Sequence, residues 1–166
     1  MRRRQDRGPG IIPVMRVMGA TCGNSELFVA VVEAGVVLTG FPETIEYPSG
    51  LECERQLSAV FDDVARVVDE VAPARIALLK PEASYRATHG QFVPRIALET
   101  LLRLVASQKG VLLELVSRPA VRSTFHLPKS GRLDSHVDRV IGTPVGSHWR
   151  AGRGLAALVA LGARDV

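Results

Sequence analysis

Metal-binding and disulfide chemistry have little to work with in this sequence. It holds two cysteines, Cys22 and Cys53, too few for a disulfide framework and in no metal-ligand spacing. The four histidines, His89, His126, His136 and His148, also lack ligand spacing and read as isolated surface residues. Aromatic residues make up 5% of the 166, so Val, Leu, Ile and Ala must build the core. No apolar run is long enough to span a bilayer. The basic start, MRRRQDRGPG, leads into IIPVMRVMG, which Pro13 and Arg16 interrupt, and not into a signal-peptide hydrophobic stretch; this reads as a cytoplasmic protein without a membrane partner. A Walker loop, a dinucleotide fingerprint and a Ser-His-Asp motif are also missing, and no cofactor is expected.

The apolar content, 46%, is ordinary for a globular protein, and the length suits one domain with a real core. Residues 1–12 read as a disordered basic arm carrying Arg2, Arg3, Arg4 and Arg7 and ending in Gly-Pro-Gly, ahead of a single domain over 13–166. The net charge of +4 is unevenly spread. Between residues 40 and 73, Glu43, Glu46, Glu52, Glu54, Asp62, Asp63, Asp69 and Glu70 face only Arg55 and Arg66. Between 117 and 153 the balance reverses: Arg118, Arg122, Lys129, Arg132, Arg139, Arg150 and Arg153 face only Asp134 and Asp138. Such a basic half suits an anionic partner, most often nucleic acid; a solvated basic surface fits the composition as well.

Hydrophobic periodicity orders the elements. Strands are expected near 14–20, 26–33 and 36–39, the last two joined by a reversal at Ala34-Gly35. A helix follows, with Ser49 and Glu52 spaced as a capping box, an apolar face of Leu57, Phe61, Val64, Val68 and Val71, and Pro73 as its stop. RIALLK reads as a buried fourth strand and PEASYRATHGQ as a polar loop, with Tyr85, Arg86 and Phe92 placed to make it a substrate-contacting lid or a plain connection. Ile96, Leu98, Leu101, Leu102 and Val105 mark a second helix, and VLLELVS a fifth strand. Ser117 and Pro119 start a short helix, RLDSHVDRVIG a further one, and WRAGRGLAALVALGA the last. Three antiparallel strands and two crossover units make an α/β fold: a mixed five-stranded sheet with helices on both faces.

This order resembles the ribonuclease H-like fold, and GATCGN, ALLKPE and WRAGRGLAAL resemble local motifs of its RuvC-like branch, which includes Holliday-junction resolvases and related uncharacterised bacterial proteins. The resemblance spans about residues 14–163. It implies a nuclease centre in which carboxylates after the first strand, after the fourth strand and at the start of the last helix hold two Mg²⁺ ions that activate water for phosphodiester cleavage. At the matching places this sequence has Thr21, then Lys80 with Glu82 two residues on, then Arg150 and Arg153. A hydroxyl does not balance a dication, and the cations would repel it.

The expectation is therefore a catalytically degenerate RuvC-like domain, a pseudo-nuclease without a metal. It would bind nucleic acid, or a nucleic-acid complex, through Lys80, Arg86, Arg118, Arg122, Lys129, Arg150 and Arg153. Arg150 and Arg153 would share one helix face; they fit a phosphate-binding pocket with Lys80, or structural pairing with Glu82 and other acids. Two alternatives stand beside this one. In the first, a divergent Mg²⁺- or Mn²⁺-dependent nuclease rebuilds its site from Glu82, Asp134 or Asp138. In the second, the fold is a protein–protein interaction scaffold. Cys22 reads as a small semi-buried thiol in preference to a nucleophile, and Trp149 as a core anchor in preference to a base-stacking ring. The resemblance also admits a homodimer.

Overall fold

The computed structural model describes residues 15–81 and 88–163; the expected arm, the start of the first strand, Glu82, Tyr85 and Arg86 lie outside the described residues. Strand β1 (Arg16–Cys22) lies antiparallel to β2 (Glu26–Glu33), across a turn closed by the Gly23 N–H donating to the Glu26 carbonyl at 2.8 Å. β1 runs two residues later than its apolar pattern suggested, so Thr21 and Cys22 belong to the strand and not to the turn.

The expected third strand, 36–39, stops at Val37, and a further short strand that was not expected follows it. β3 (Val36–Val37) and β4 (Thr44–Glu46) both pair antiparallel with β2, in tandem along its outer edge. Between them Gly40 sits at φ 86°, a left-handed conformation that favours glycine, and Pro42 has no N–H to give the ladder. Pairing resumes where the Val29 N–H donates to the Glu43 carbonyl at 2.8 Å.

Helix α1 (Cys53–Val71) buries Val60, Val64, Val67, Val68 and Val71 against one sheet face. The expected Ser49–Glu52 capping box does not form: Glu52 stands at the N-cap without a side-chain bond. Gln56 ties the entry instead, accepting from the Tyr47 hydroxyl at 3.2 Å and donating to the Pro48 carbonyl at 3.0 Å. Ala72 ends the helix at φ 46° and Pro73 follows. β5 (Arg75–Leu79) then pairs parallel with β1, and β6 (Leu112–Val116) parallel with β5. Their crossover is α2 (His89–Gln108), which starts earlier than Ile96 because Thr88 and Gln91 form the cap. The Thr88 N–H donates to Gln91 Oε1 at 3.2 Å.

After β6, Ser117 caps α3 (Arg118–Thr124) by accepting from the Ala120 N–H at 3.3 Å. A 3-10 turn (Asp134–His136) leads into α4 (Val137–Ile141), and a π-helical turn (Trp149–Arg153) into α5 (Gly154–Gly162). Along the sheet the order is β3-β2-β1-β5-β6, with β4 beside β3's place on β2. Met18, Ala20, Leu27, Val29 and Val31 face α1 and α2; Val17, Ala30, Val32, Ala77 and Leu79 face α5. No helix among the described residues is long and apolar enough to cross a membrane.

The start of α5 is fixed to β1 by close approach. A Cβ on Gly19 would lie 1.9 Å from the Ala156 carbonyl oxygen, so only glycine lets the helix backbone come this near. The Thr21 hydroxyl donates to the Gly152 carbonyl at 3.1 Å. Arg153, 1% exposed, donates to the carbonyls of Val145 and of Leu38 (3.2 Å) and lies 3.5 Å from the Glu43 carboxylate. Burial pulls its pKa down and Glu43 works against that pull. It therefore holds the β3–β4 excursion to the last helix.

Two outcomes follow for thermal unfolding. Gly19→Ala is expected to destabilise the fold by about 3 kcal/mol, lowering the melting temperature by roughly 10 °C. Arg153→Ala is expected to cost about 3 kcal/mol as well, because it leaves carbonyls and a carboxylate without their donor, whereas Arg150→Ala stays within about 0.5 kcal/mol.

Candidate nucleic-acid interface

Thr21, the last but one residue of β1, lies on the α5 face, 6% exposed. Its hydroxyl donates to the backbone carbonyl of Gly152, which lies between the expected last-helix positions Arg150 and Arg153. A Cβ on Gly152 would fall 2.2 Å from the Phe28 ring, so Gly152 packs directly against that ring. The next side chain, Cys22, turns to the opposite face, where Arg95 and Glu99 of α2 form an ion pair at 3.3 Å. Burial, with the Glu99 charge adding, pushes the thiol far above its ordinary range, which suits the small semi-buried thiol expected here.

Arg150 and Arg153 do not share a face. The chain leaves the helical path at Gly152 (φ 164°, ψ −20°), inside a π-helical turn wider than the α-helical turn their spacing assumed. Arg153 points inward and Arg150 outward, with 86% of its side chain exposed and Asp138 at 4.0 Å. Of the two expected uses of the pair, Arg153 takes the structural one: among the described residues its acidic partner is Glu43, while Glu82 lies outside them. Trp149 is buried, its indole N–H donating to Asp138 at 3.2 Å, as expected of a core anchor. His148 takes a left-handed φ of 55°, its ring 6.4 Å from that of Phe28.

Nor do Lys80 and Arg150 line one pocket. Arg150 borders a hollow of 520 Å³ with Arg132, Asp134, Asp138 and Trp149. Lys80, at the carboxyl end of β5, borders a larger cleft of 890 Å³ with Arg118, Arg122 and Lys129. The Lys80 N–H donates to the Val116 carbonyl at 2.8 Å, which carries the chain out beside the start of α3. No carboxylate is among the described residues lining this cleft. Sequence reasoning missed its apolar share, Pro81, Pro119 and Leu127, and the ring of His126. The signal was available in the proline and the HLP tripeptide that flank the expected short helix.

The four cations of the cleft are not equivalent. Arg122 donates to the carbonyls of Pro128, Ser130 (3.3 Å) and Gly131, so it pins the loop that follows α3. Arg118 is half-buried in the wall and has partners of its own. Lys80 and Lys129 are exposed, and among the described residues no hydrogen bond or ion pair engages either ammonium group.

The described residues do not fit the Mg²⁺ ions that the resemblance implies. The Thr21 hydroxyl is taken by a carbonyl, Lys80 and Arg150 bring positive charge, and Arg153 is buried. Asp134 accepts two bonds from Arg132, at 3.1 and 2.6 Å, which hold its carboxyl below the usual range. Asp138 already accepts from Trp149. Among the described residues, no three of His, Cys, Asp and Glu gather into a metal-sized group.

The sequence matches no family model and no curated protein. Solved structures do match. RuvC of Thermus thermophilus aligns at a TM-score of 0.68 and 17% identity, over 89% of this chain and 92% of its own. The T. thermophilus RuvC in complex with a Holliday junction substrate gives 0.66 and 16%, over 89% and 91%. The yeast mitochondrial Holliday junction resolvase Ydc2 gives 0.57 and 15%, over 92% and 78%. At such identities what is shared is the architecture: this chain has the RuvC-type, ribonuclease H-like fold.

Proposed function

We propose that this chain is a nucleic-acid-binding domain of RuvC fold that does not cleave its ligand. One observation carries the second half of the reading: the Thr21 hydroxyl, at the place where a RuvC-like nuclease would carry its first acid, bonds the backbone carbonyl of Gly152, between the last-helix places held by Arg150 and Arg153. A carboxylate at Thr21 would be repelled by that carbonyl and call for a cation; a hydroxyl and a carbonyl satisfy each other. The first half is supported by a cleft that no described carboxylate lines, with Lys80 and Lys129 presented to solvent, and by the Holliday junction bound in a solved structure of like fold. Of the cations expected at a phosphate, Lys80 and Lys129 engage it in this reading. Arg118 and Arg122 shape the cleft, Arg150 adds charge at a separate hollow, and Arg153 stays in the core. Arg86 lies outside the described residues.

A cation that meets a phosphate releases counterions, so binding must weaken as salt rises. The full chain is expected to retard a four-way DNA junction at low salt and to leave it uncut with Mg²⁺ or Mn²⁺ present. Changing Lys80 and Lys129 together to Ala is expected to flatten the slope of log affinity against log salt by about 1.5, roughly 0.7–0.9 for each phosphate left without its lysine. Metal-dependent cleavage would return the divergent-nuclease reading. Absence of binding to single-stranded, duplex and branched DNA or RNA would favour the interaction scaffold.

A further inference from the structure

The cleft beside α3 has a composition that phosphate binding alone does not call for. A surface that only tracks a backbone needs charge in a shallow groove. Here Pro81, Pro119 and the buried Leu127 give an apolar lining inside 890 Å³, a volume in the range of small-molecule sites (about 300–1,000 Å³). His126 stands exposed among the lining residues, held at φ 52°. Lys80 and Lys129 approach from different segments, one from the end of β5 and one from the loop that Arg122 pins. Charged groups are thus joined to an apolar recess, which is the chemistry of a phosphorylated heterocycle.

In a duplex every base has its faces covered by stacked neighbours and shows only its edges in the grooves. An unpaired nucleotide can instead lay a face on an apolar or imidazole surface while its phosphate meets a cation. We infer that the cleft receives a single unpaired nucleotide, its base on Pro81, Pro119, Leu127 and His126 and its phosphate on Lys80 and Lys129. The inference rests on the nucleic-acid reading given above and narrows it. The nucleotide is supplied by a strand, at a bulge, a gap or a branch point, or it is free in solution; the recognition chemistry is the same.

The test uses the full chain and fluorescence anisotropy with two labelled DNA duplexes of one sequence, one blunt and one carrying a single-nucleotide bulge. The bulged duplex is expected to bind roughly tenfold more tightly, the scale of one base stacked on a protein surface. Ser123, exposed on α3, lines the cleft without capping the helix, and Ser123→Trp fills the space while keeping every cation. In that variant the ratio between the two affinities is expected to fall to about one. Equal affinities in the wild type overturn the inference and leave nucleic-acid binding standing; no binding to either probe overturns both. A folded Ser123→Trp protein that keeps the preference removes the base from this cleft.

A competition on the wild type does not depend on how the variant folds. A nucleoside 5′-monophosphate is expected to displace the bulged probe, and ribose 5-phosphate, which lacks the base, is not. Equal displacement by both means that the cleft reads phosphate alone, which overturns the inference. Displacement at micromolar nucleotide assigns the ligand to free nucleotides, and displacement only at millimolar nucleotide assigns it to a strand; both support the recognition chemistry.

Discussion

The hydrogen bond from the Thr21 hydroxyl to the Gly152 carbonyl joins the end of the central strand to the start of the last helix, and much of the molecule is arranged around that join. Gly152 offers its carbonyl because the chain departs there from the helical path, against the Phe28 ring. The departure sends Arg150 to solvent and Arg153 into the core. Arg153 then gathers Leu38, Val145 and Glu43, which lie on segments that no sheet pairing would otherwise hold to α5. Gly19 completes the join by admitting the α5 backbone against β1. In a metal-dependent nuclease of this fold, acids and a shared cation would connect these elements. Here neutral groups and one buried guanidinium connect them.

Positive charge in the C-terminal half serves several ends, set by what surrounds each group. Arg153 is buried among carbonyls and a carboxylate and is a structural tether. Arg122 lies near the surface, yet loop carbonyls take its donors, so its part is to shape a cleft. Arg132 is held by Asp134. Lys80 and Lys129 are exposed at the cleft, and among the described residues nothing engages their ammonium groups. A count of basic residues does not distinguish these roles; the supply of carbonyl and carboxylate acceptors does.

Much of the fold was legible in the sequence. Element order came from periodicity, and the bounds of β2 were marked by Glu26 and Glu33 at either end of an apolar run. The α3 cap was marked by Ser117 and Pro119. Other features depended on non-local partners. Ser49 and Glu52 have capping-box spacing, but Gln56 reaches back to Tyr47 and Pro48 and a different entry wins. Thr88 and Gln91 have the same spacing in a stretch polar enough to read as loop. The β3–β4 split was signalled by Gly40 and Pro42, which weigh little in an apolar pattern. At the candidate site, the resemblance set Lys80 beside Arg150 and Arg153; its place beside Arg118, Arg122 and Lys129 depends on how the chain leaves β5 and β6 and was not legible. Nor was the separation of Arg150 from Arg153, because three-residue spacing implies a shared face only while the helix is α-helical.

The central claim is that the carboxyl end of β1 is closed by the fold itself and is not a ligand site. Thr21→Val tests it most directly, since it keeps the side chain's shape and removes only the hydroxyl. Thermal unfolding and affinity for a four-way junction would be measured on the same sample. The expected result is a loss of about 1 kcal/mol of stability, from a Gly152 carbonyl left without its donor, with junction affinity unchanged. Unchanged stability together with a large loss of affinity would contradict the account, because it would mean that the Thr21 hydroxyl faces the ligand and not the helix.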